Sequence, residues 1–251
     1  MNARLPDALP AATIDVRQAL GQIAVSLPGA TAVFRRLHLD FCCGGQVSLA
    51  QAAADKGLDL AALQAELAAL QRDGTAPDPA LDTGALLDHV VARYHEVHRA
   101  QLPELVRMAR RVEAVHREHP QAPVGLAALL EATQGELLSH MLKEERVLFP
   151  MLRAGGDAFA GPPIAMMRAE HTEHGETLER LAALTGQMTP PPGACNTWRA
   201  LYAGLEQFRD DLVEHIHLEN NVLFPRFDGT AAAPQGCGAG AGAGAGACGC
   251  R

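Results

Sequence analysis

Glu136-Leu-Leu-Ser-His140-Met-Leu-Lys-Glu144-Glu-Arg-Val-Leu-Phe-Pro150 recurs later in the chain as Asp211-Leu-Val-Glu-His215-Ile-His-Leu-Glu219-Asn-Asn-Val-Leu-Phe-Pro225. The two stretches align without a gap at an offset of 75 residues, His140 on His215 and Glu144 on Glu219. Each contains His-x-x-x-Glu and each closes on Val-Leu-Phe-Pro. At about 3.6 residues per turn, positions i and i+4 share a helix face, so each copy projects an imidazole and a carboxylate the same way. A shorter repeat precedes each copy: His95-Glu-Val-His98 and His171-Thr-Glu-His174, offset by 76. One His-x-x-x-Glu is common on solvated helix faces. Two at a fixed offset, each with a histidine upstream, are the pattern of a metal site assembled from two related halves.

Paired about a pseudo-twofold axis, the halves would bring four histidines and two glutamates together. Two glutamates can bridge two metals, and each metal can then take two histidines. With an oxo, hydroxo or water bridge, one position per metal stays open for a small molecule. Mixed imidazole and carboxylate ligation suits iron, and manganese less well. Helical bundles are a known host for such centres. The remaining histidines have other readings. His98 and His174, each three residues after a candidate ligand, could be extra ligands, but the favoured reading puts them behind the ligands or at the surface. His217, two residues from His215, faces away, and His89 is unrelated. His116 follows His95 by 21 residues, about 31 Å along a straight helix and too far for the same site. It is read with His119 as a helix-end residue, favoured there by the helix dipole. Glu136 and Glu170 lie near the ligand face, where they could relay protons or guide ions.

Around this repeat the chain reads as four helices. The first runs from about Leu81 to His119, with a candidate bend at Pro103. The second runs from about Val124 to Phe149, ending at Pro150. The third starts at Pro162-Pro163 and reaches about Gln187, before Pro190-Pro191-Pro192-Gly193. The fourth covers about Asn196 to Leu223. Proline suits a first turn and opposes continuation. No segment alternates with period two, so strand is not expected. The fold class is therefore all-α: an antiparallel four-helix bundle over residues 80–228, preceded by a small helical domain over 1–76. Thr75-Ala-Pro-Asp-Pro79 is the linker. Residues 229–251, a Gly/Ala/Cys tail, lack the large side chains needed to order themselves.

A hydrophobic fraction of 48% supplies a core, and aromatics at 4% leave aliphatic side chains to fill it. A formal charge of −8 argues against broad binding to nucleic acid or anionic membranes. No apolar run reaches the ~18 residues of a membrane span, and residues 1–12 show no secretory pattern. The spacing of Cys42, Cys43, Cys195, Cys237, Cys248 and Cys250 is not that of a secreted disulfide framework, which implies reduced thiols in a cytoplasm. In Phe41-Cys42-Cys43-Gly44-Gly45 the thiols are either a reactive, metal-passing pair or a buried structural one. Cys195 is read as a small residue near a helix cap.

These motifs resemble the Repair of Iron Centers family, the bacterial di-iron stress proteins. The resemblance rests on Pro28-Gly-Ala-Thr31, Asp40-Phe-Cys-Cys-Gly-Gly45, His140-Met-Leu-Lys-Glu-Glu145, Met166-Met-Arg-Ala-Glu-His171, Cys195-Asn-Thr-Trp-Arg-Ala-Leu-Tyr202 and His215-Ile-His-Leu-Glu-Asn-Asn-Val-Leu-Phe-Pro225. It covers nearly all of residues 10–228 and leaves the tail outside. It implies a hemerythrin-like bundle behind a short Cys-Cys domain. It also implies two iron ions held by His95, His140, His171 and His215, with Glu144 and Glu219 bridging. The expected function is repair of iron–sulfur clusters damaged by nitric oxide or peroxide, through iron donation, with damaged iron–sulfur proteins as partners. Cys42 and Cys43 would pass the iron, and Glu136, Glu170 and His174 would stand behind the ligands. Nitric oxide reduction, and hemerythrin-like binding or sensing of oxygen or nitric oxide, are the alternatives. A homodimer through the N-terminal domains is a further expectation.

Overall fold

Apolar side chains at helical spacing build the first unit. In a computed structural model describing residues 14–70, 82–156 and 159–227, it consists of α1 (Leu20–Ser26), α2 (Ala30–Arg36), α3 (Leu49–Asp55) and α4 (Leu60–Leu70). These helices close over Leu20, Ile23, Phe34, Phe41, Leu49 and Leu67. Ser48 Oγ accepts from Gln51 N at 3.2 Å and starts α3. Asp59 Oδ1 accepts from Ala61 N at 2.9 Å and starts α4. Each satisfies a first-turn donor that has no partner within its helix.

The bundle follows as four rods. The first is α5 (Thr83–Val90), a π-helical turn at Val91–His95, and α6 (Glu96–Val115). The second is α7 (Leu126–Lys143), a π turn at Glu144–Leu148, and α8 (Phe149–Arg153). The third is α9 (Gly161–Leu184). The fourth is α10 (Asn196–Leu218), a π turn at Glu219–Leu223, and a short 3₁₀ turn. α6 packs on α7 and α10, and α9 packs on the same two, closing the ring. Among the described residues there is no strand, only an isolated bridge between Ala19 and Ser48. No helix among them is long and apolar enough to cross a membrane.

Several boundaries differ from the sequence reading. The first rod ends at Val115, where His116 leaves helical geometry. It runs through Pro103 without interruption, and its departure from α geometry lies at Val91–His95 instead. The second rod does not end at Pro150. Phe149 N bonds back five residues to Glu144 O, so Pro150 falls in the first turn of α8, where its missing N–H costs nothing. The third rod stops at Leu184, because Gly186, Gln187 and Met188 all take positive φ (56°, 59° and 54°). Leu81, the linker residues 75–79 and the tail with Cys237, Cys248 and Cys250 lie outside the described residues.

Two apolar clusters fill the bundle. One, around Trp198, Tyr202, Leu126, Leu137, Met141 and Leu212, occupies the end away from the π turns. The other, around Leu86, Phe149, Ile164, Leu223 and Phe224, lies beyond them. Between the two runs a buried polar layer of histidine and glutamate. The N-terminal unit docks beside that layer. Arg35 pairs with Glu214 at 2.7 Å, Phe41 meets His217 edge-on at 5.1 Å, and Asn221 Nδ2 donates to the Phe41 carbonyl at 3.1 Å.

Candidate metal centre

The polar layer holds the six donors named by the repeat. His95, Glu144, His171, His215 and Glu219 are fully buried, and His140 is 1% exposed. They form two groups that share both glutamates: His95, His215, Glu144 and Glu219, and His140, His171, Glu144 and Glu219. In the first, His95 Nε2 lies 3.2 Å from His215 Nε2. In the second, His140 Nε2 lies 3.2 Å from His171 Nε2. With metal–nitrogen bonds of ~2.1 Å, as for zinc, that spacing subtends about 100° at a common ion, an ordinary coordination angle. Glu144 Oε2 is 3.4 Å from His95 Nε2 and 3.5 Å from His140 Nε2. Glu219 Oε1 is 3.2 Å from His215 Nε2, and its Oε2 is 3.1 Å from His171 Nε2. Each carboxylate therefore spans the two groups.

The local backbone explains the aim. Glu144 and Glu219 each open a π turn, and in both copies the following phenylalanine N–H reaches back to that glutamate's carbonyl. The wide turn shifts the helix phase at the ligand, a common use of such bulges at functional sites. His95 closes the third π turn.

Electrostatics make the layer costly for the protein alone. The polar neighbours of the Glu144 and Glu219 carboxylate oxygens are the imidazole nitrogens of the same donor set, 3.1–3.5 Å away and poorly aligned for hydrogen bonds. Burial, then the neighbouring Glu219 charge, pushes Glu144 up to about 8. Burial would raise Glu219 as well, but His215 and His171 outweigh it and hold Glu219 well below the carboxylate range. Burial drives His140 far below the usual imidazole range. Four imidazoles and two otherwise unpartnered carboxylates in a dry space fit a cation, and this donor mixture fits iron.

Behind the donors stands a layer that the sequence reading captured in part. His95 Nδ1 donates to Glu145 Oε1 at 2.7 Å. His140 Nδ1 donates to Glu170 Oε2 at 2.8 Å, and Lys143 in turn bonds Glu170. His171 Nδ1 donates to Asn220 Oδ1 at 2.9 Å. Such contacts leave the Nε2 lone pair free and fix the ring. Glu170 thus touches a candidate ligand. Glu136 instead lies exposed on α7, while its repeat counterpart Asp211 is buried and pairs with Arg93 at 2.6 Å. Glu145 and Asn220 were missed, although they occupy one repeat position, directly after Glu144 and Glu219.

His98 and His174 are buried rather than at the surface, and neither belongs to the two donor groups. His174 stands edge-on to His140 at 5.1 Å, and His98 lies 5.6 Å from His215. Burial pushes them down to about 2 for His98 and about 4 for His174. His116 and His119 lie at the far end of the bundle, against Trp198. Cys195, beside them, is 3.2 Å from His116 Nε2.

Cys42 and Cys43 meet the centre from outside. Their Sγ atoms are 3.6 Å apart and half-buried. Cys43 Sγ donates to the His171 carbonyl at 3.4 Å, facing the gap left by Gly175 on α9. Asn220 Nδ2 donates to the Cys42 carbonyl at 3.0 Å, so one side chain joins His171 to the cysteine loop. The hydrogen bond from Cys42 pushes Cys43 down, and the same pair, with burial, raises Cys42. The thiols border an open cleft of about 550 Å³ between the N-terminal unit and α9 and α10. Asp40 stands with them as a third potential donor.

Residues 86–227 match the family model of the Hemerythrin HHE cation binding domain, and residues 16–71 match a Domain of Unknown function (DUF542). Iron-sulfur cluster repair protein YtfE of Yersinia pseudotuberculosis is 52% identical over 214 residues, covering 83% of this chain and 96% of the relative. The proteins of that name from Dickeya chrysanthemi and Escherichia coli are each 49% identical, with the same coverage. The chain belongs to the Repair of Iron Centers family. The two matches fall on the two helical units, and the six buried donors lie within the hemerythrin match.

Proposed function

We propose that this chain is a di-iron protein that repairs damaged iron–sulfur clusters by donating iron. The observation that carries this reading is the pair of buried donor groups sharing Glu144 and Glu219. One iron would lie between His95 and His215, the other between His140 and His171, with the glutamates bridging. The relatives' printed names supply the repair role, and damaged iron–sulfur proteins in the cytoplasm are the expected clients. Residues 1–76 would form the thiol domain, and 80–228 the iron-holding bundle.

The chain's own residues would bind and then relinquish the ion. The paired carboxylates offset its charge in a space where burial opposes the ionisation of Glu144 on its own. Glu145, Glu170 and Asn220 orient three imidazoles. Cys42 and Cys43, resting on the backbone of α9 and bordering the open cleft, offer a thiol pair that would carry the ion outward once either donor pair has released it. Nitric oxide reduction is the second reading. It is favoured by the two adjacent donor groups, each supplying only two nitrogens and two shared carboxylates.

The test starts with iron content per chain, measured without oxygen on wild type and on Glu144→Ala plus Glu219→Ala. Two irons, lost in the double variant, support the centre. Reactivation of a damaged cluster enzyme with free iron chelated then supports donation. Failure of that reactivation, together with nitrous oxide formation from nitric oxide, would transfer the assignment to the second reading.

A further inference from the structure

The repeat makes the two donor groups alike in their inner atoms and unequal in what stands behind them. Glu145 and Asn220 are counterparts, behind His95 and His171 respectively. Glu170, one residue before His171, has Tyr94, one residue before His95, as its counterpart. That exchange breaks the symmetry. Glu170 accepts from His140 Nδ1. Tyr94 lies flat on His215, ring centroids 5.3 Å apart and planes 4° apart. A stacked ring offers no acceptor in the imidazole plane, and His215 Nδ1 is buried with no hydrogen-bond partner. The His140–His171 pair is anchored at both rings, and the His95–His215 pair at one.

We propose that the two positions hold iron with unequal strength, and that the ion between His95 and His215 is the one released, while that between His140 and His171 is retained. This rests on the di-iron donation reading and deepens it. A histidine bound through Nε2 carries its proton on Nδ1. An acceptor there fixes the tautomer, holds the ring plane and makes Nε2 more basic. Removing such a contact typically costs 10–100-fold in metal affinity. His215 bound to metal must keep an N–H facing no acceptor. No electron moves in the release step. A ferrous ion exchanges protein ligands for those of its acceptor, and one ferrous ion stays behind.

The experiment is anaerobic chelation. Ferrous, iron-loaded wild type is mixed with excess ferrous chelator, and the coloured complex is followed in time. Two phases of equal amplitude are expected, separated by about 10–100-fold in rate. Glu170→Leu, at a part-exposed position, should accelerate the slow phase until the two merge. Tyr94→Glu, which installs the missing carboxylate, should slow the fast phase. A wild type with two irons that leave in one phase overturns the inference while the di-iron reading stands. So does a Glu170→Leu variant in which only the fast phase accelerates. A wild type without iron overturns both, and iron content reports that before any rate is measured.

Discussion

In protein stripped of metal, Glu144→Gln should remove a pH-dependent penalty. The Glu144 carboxyl is fully buried, and its folded value is raised from 4.5 to about 8. A carboxyl raised on folding contributes fully below its unfolded value, and that contribution is lost as pH rises through the folded value. At about 1.4 kcal/mol per unit, the wild type pays about 1 kcal/mol at pH 5 and about 4 kcal/mol at pH 7.5. The amide carries no such dependence, and its burial cost is constant with pH. The stability of Glu144→Gln relative to wild type should therefore rise by about 3 kcal/mol between pH 5 and pH 7.5. Urea unfolding followed by helical circular dichroism, with chelator present at both pH values, measures it. A relative stability that moves by less than about 1 kcal/mol across that range would refute the claim that Glu144 is held in a dry, metal-demanding site.

Other perturbations report on other parts of the site. Asn220→Leu removes both the His171 and the Cys42 contacts; iron affinity should fall about 10–100-fold, and Cys42 should react faster with a thiol reagent. An ideal Cβ on Gly175 would sit 3.8 Å from Cys43 Sγ, so Gly175→Ala should leave thiol reactivity unchanged, whereas Gly175→Leu should displace Cys43 and raise it. Gly45→Ala would drive a Cβ into the Phe41 carbonyl oxygen; a loss of about 1–3 kcal/mol in urea unfolding is expected. Trp198→Ala empties the middle of the far cluster, where Trp198 is fully buried, and should cost about 3–5 kcal/mol without changing the number of irons bound.

The helical class and the six candidate donors, which the structure gathers into one buried layer, were legible because they depend on local periodicity. His140 and Glu144 share a face whatever surrounds them, and repetition at His215 and Glu219 marks that face as chemical. Helix ends were less legible. Pro150 reads as a stop unless a π turn is known to precede it, and that turn has no signature of its own in the sequence. The layer behind the ligands was legible only through the repeat. Glu145 and Asn220 share a register position, but their different side chains hide the shared role. Tyr94 and Glu170 hide theirs further.

The sequence by itself determined that helices would form, which faces they would bury, and which imidazoles and carboxylates would share those faces, since such properties follow from spacing along one rod. Only the tertiary structure decided that His95 pairs with His215 and His140 with His171, that both glutamates span the two groups, that His98 and His174 are buried, and that Cys43 rests against α9 beside His171. Those outcomes depend on how separate rods dock and turn about their axes. A one-residue change of phase, such as each π turn supplies, redirects every side chain beyond it.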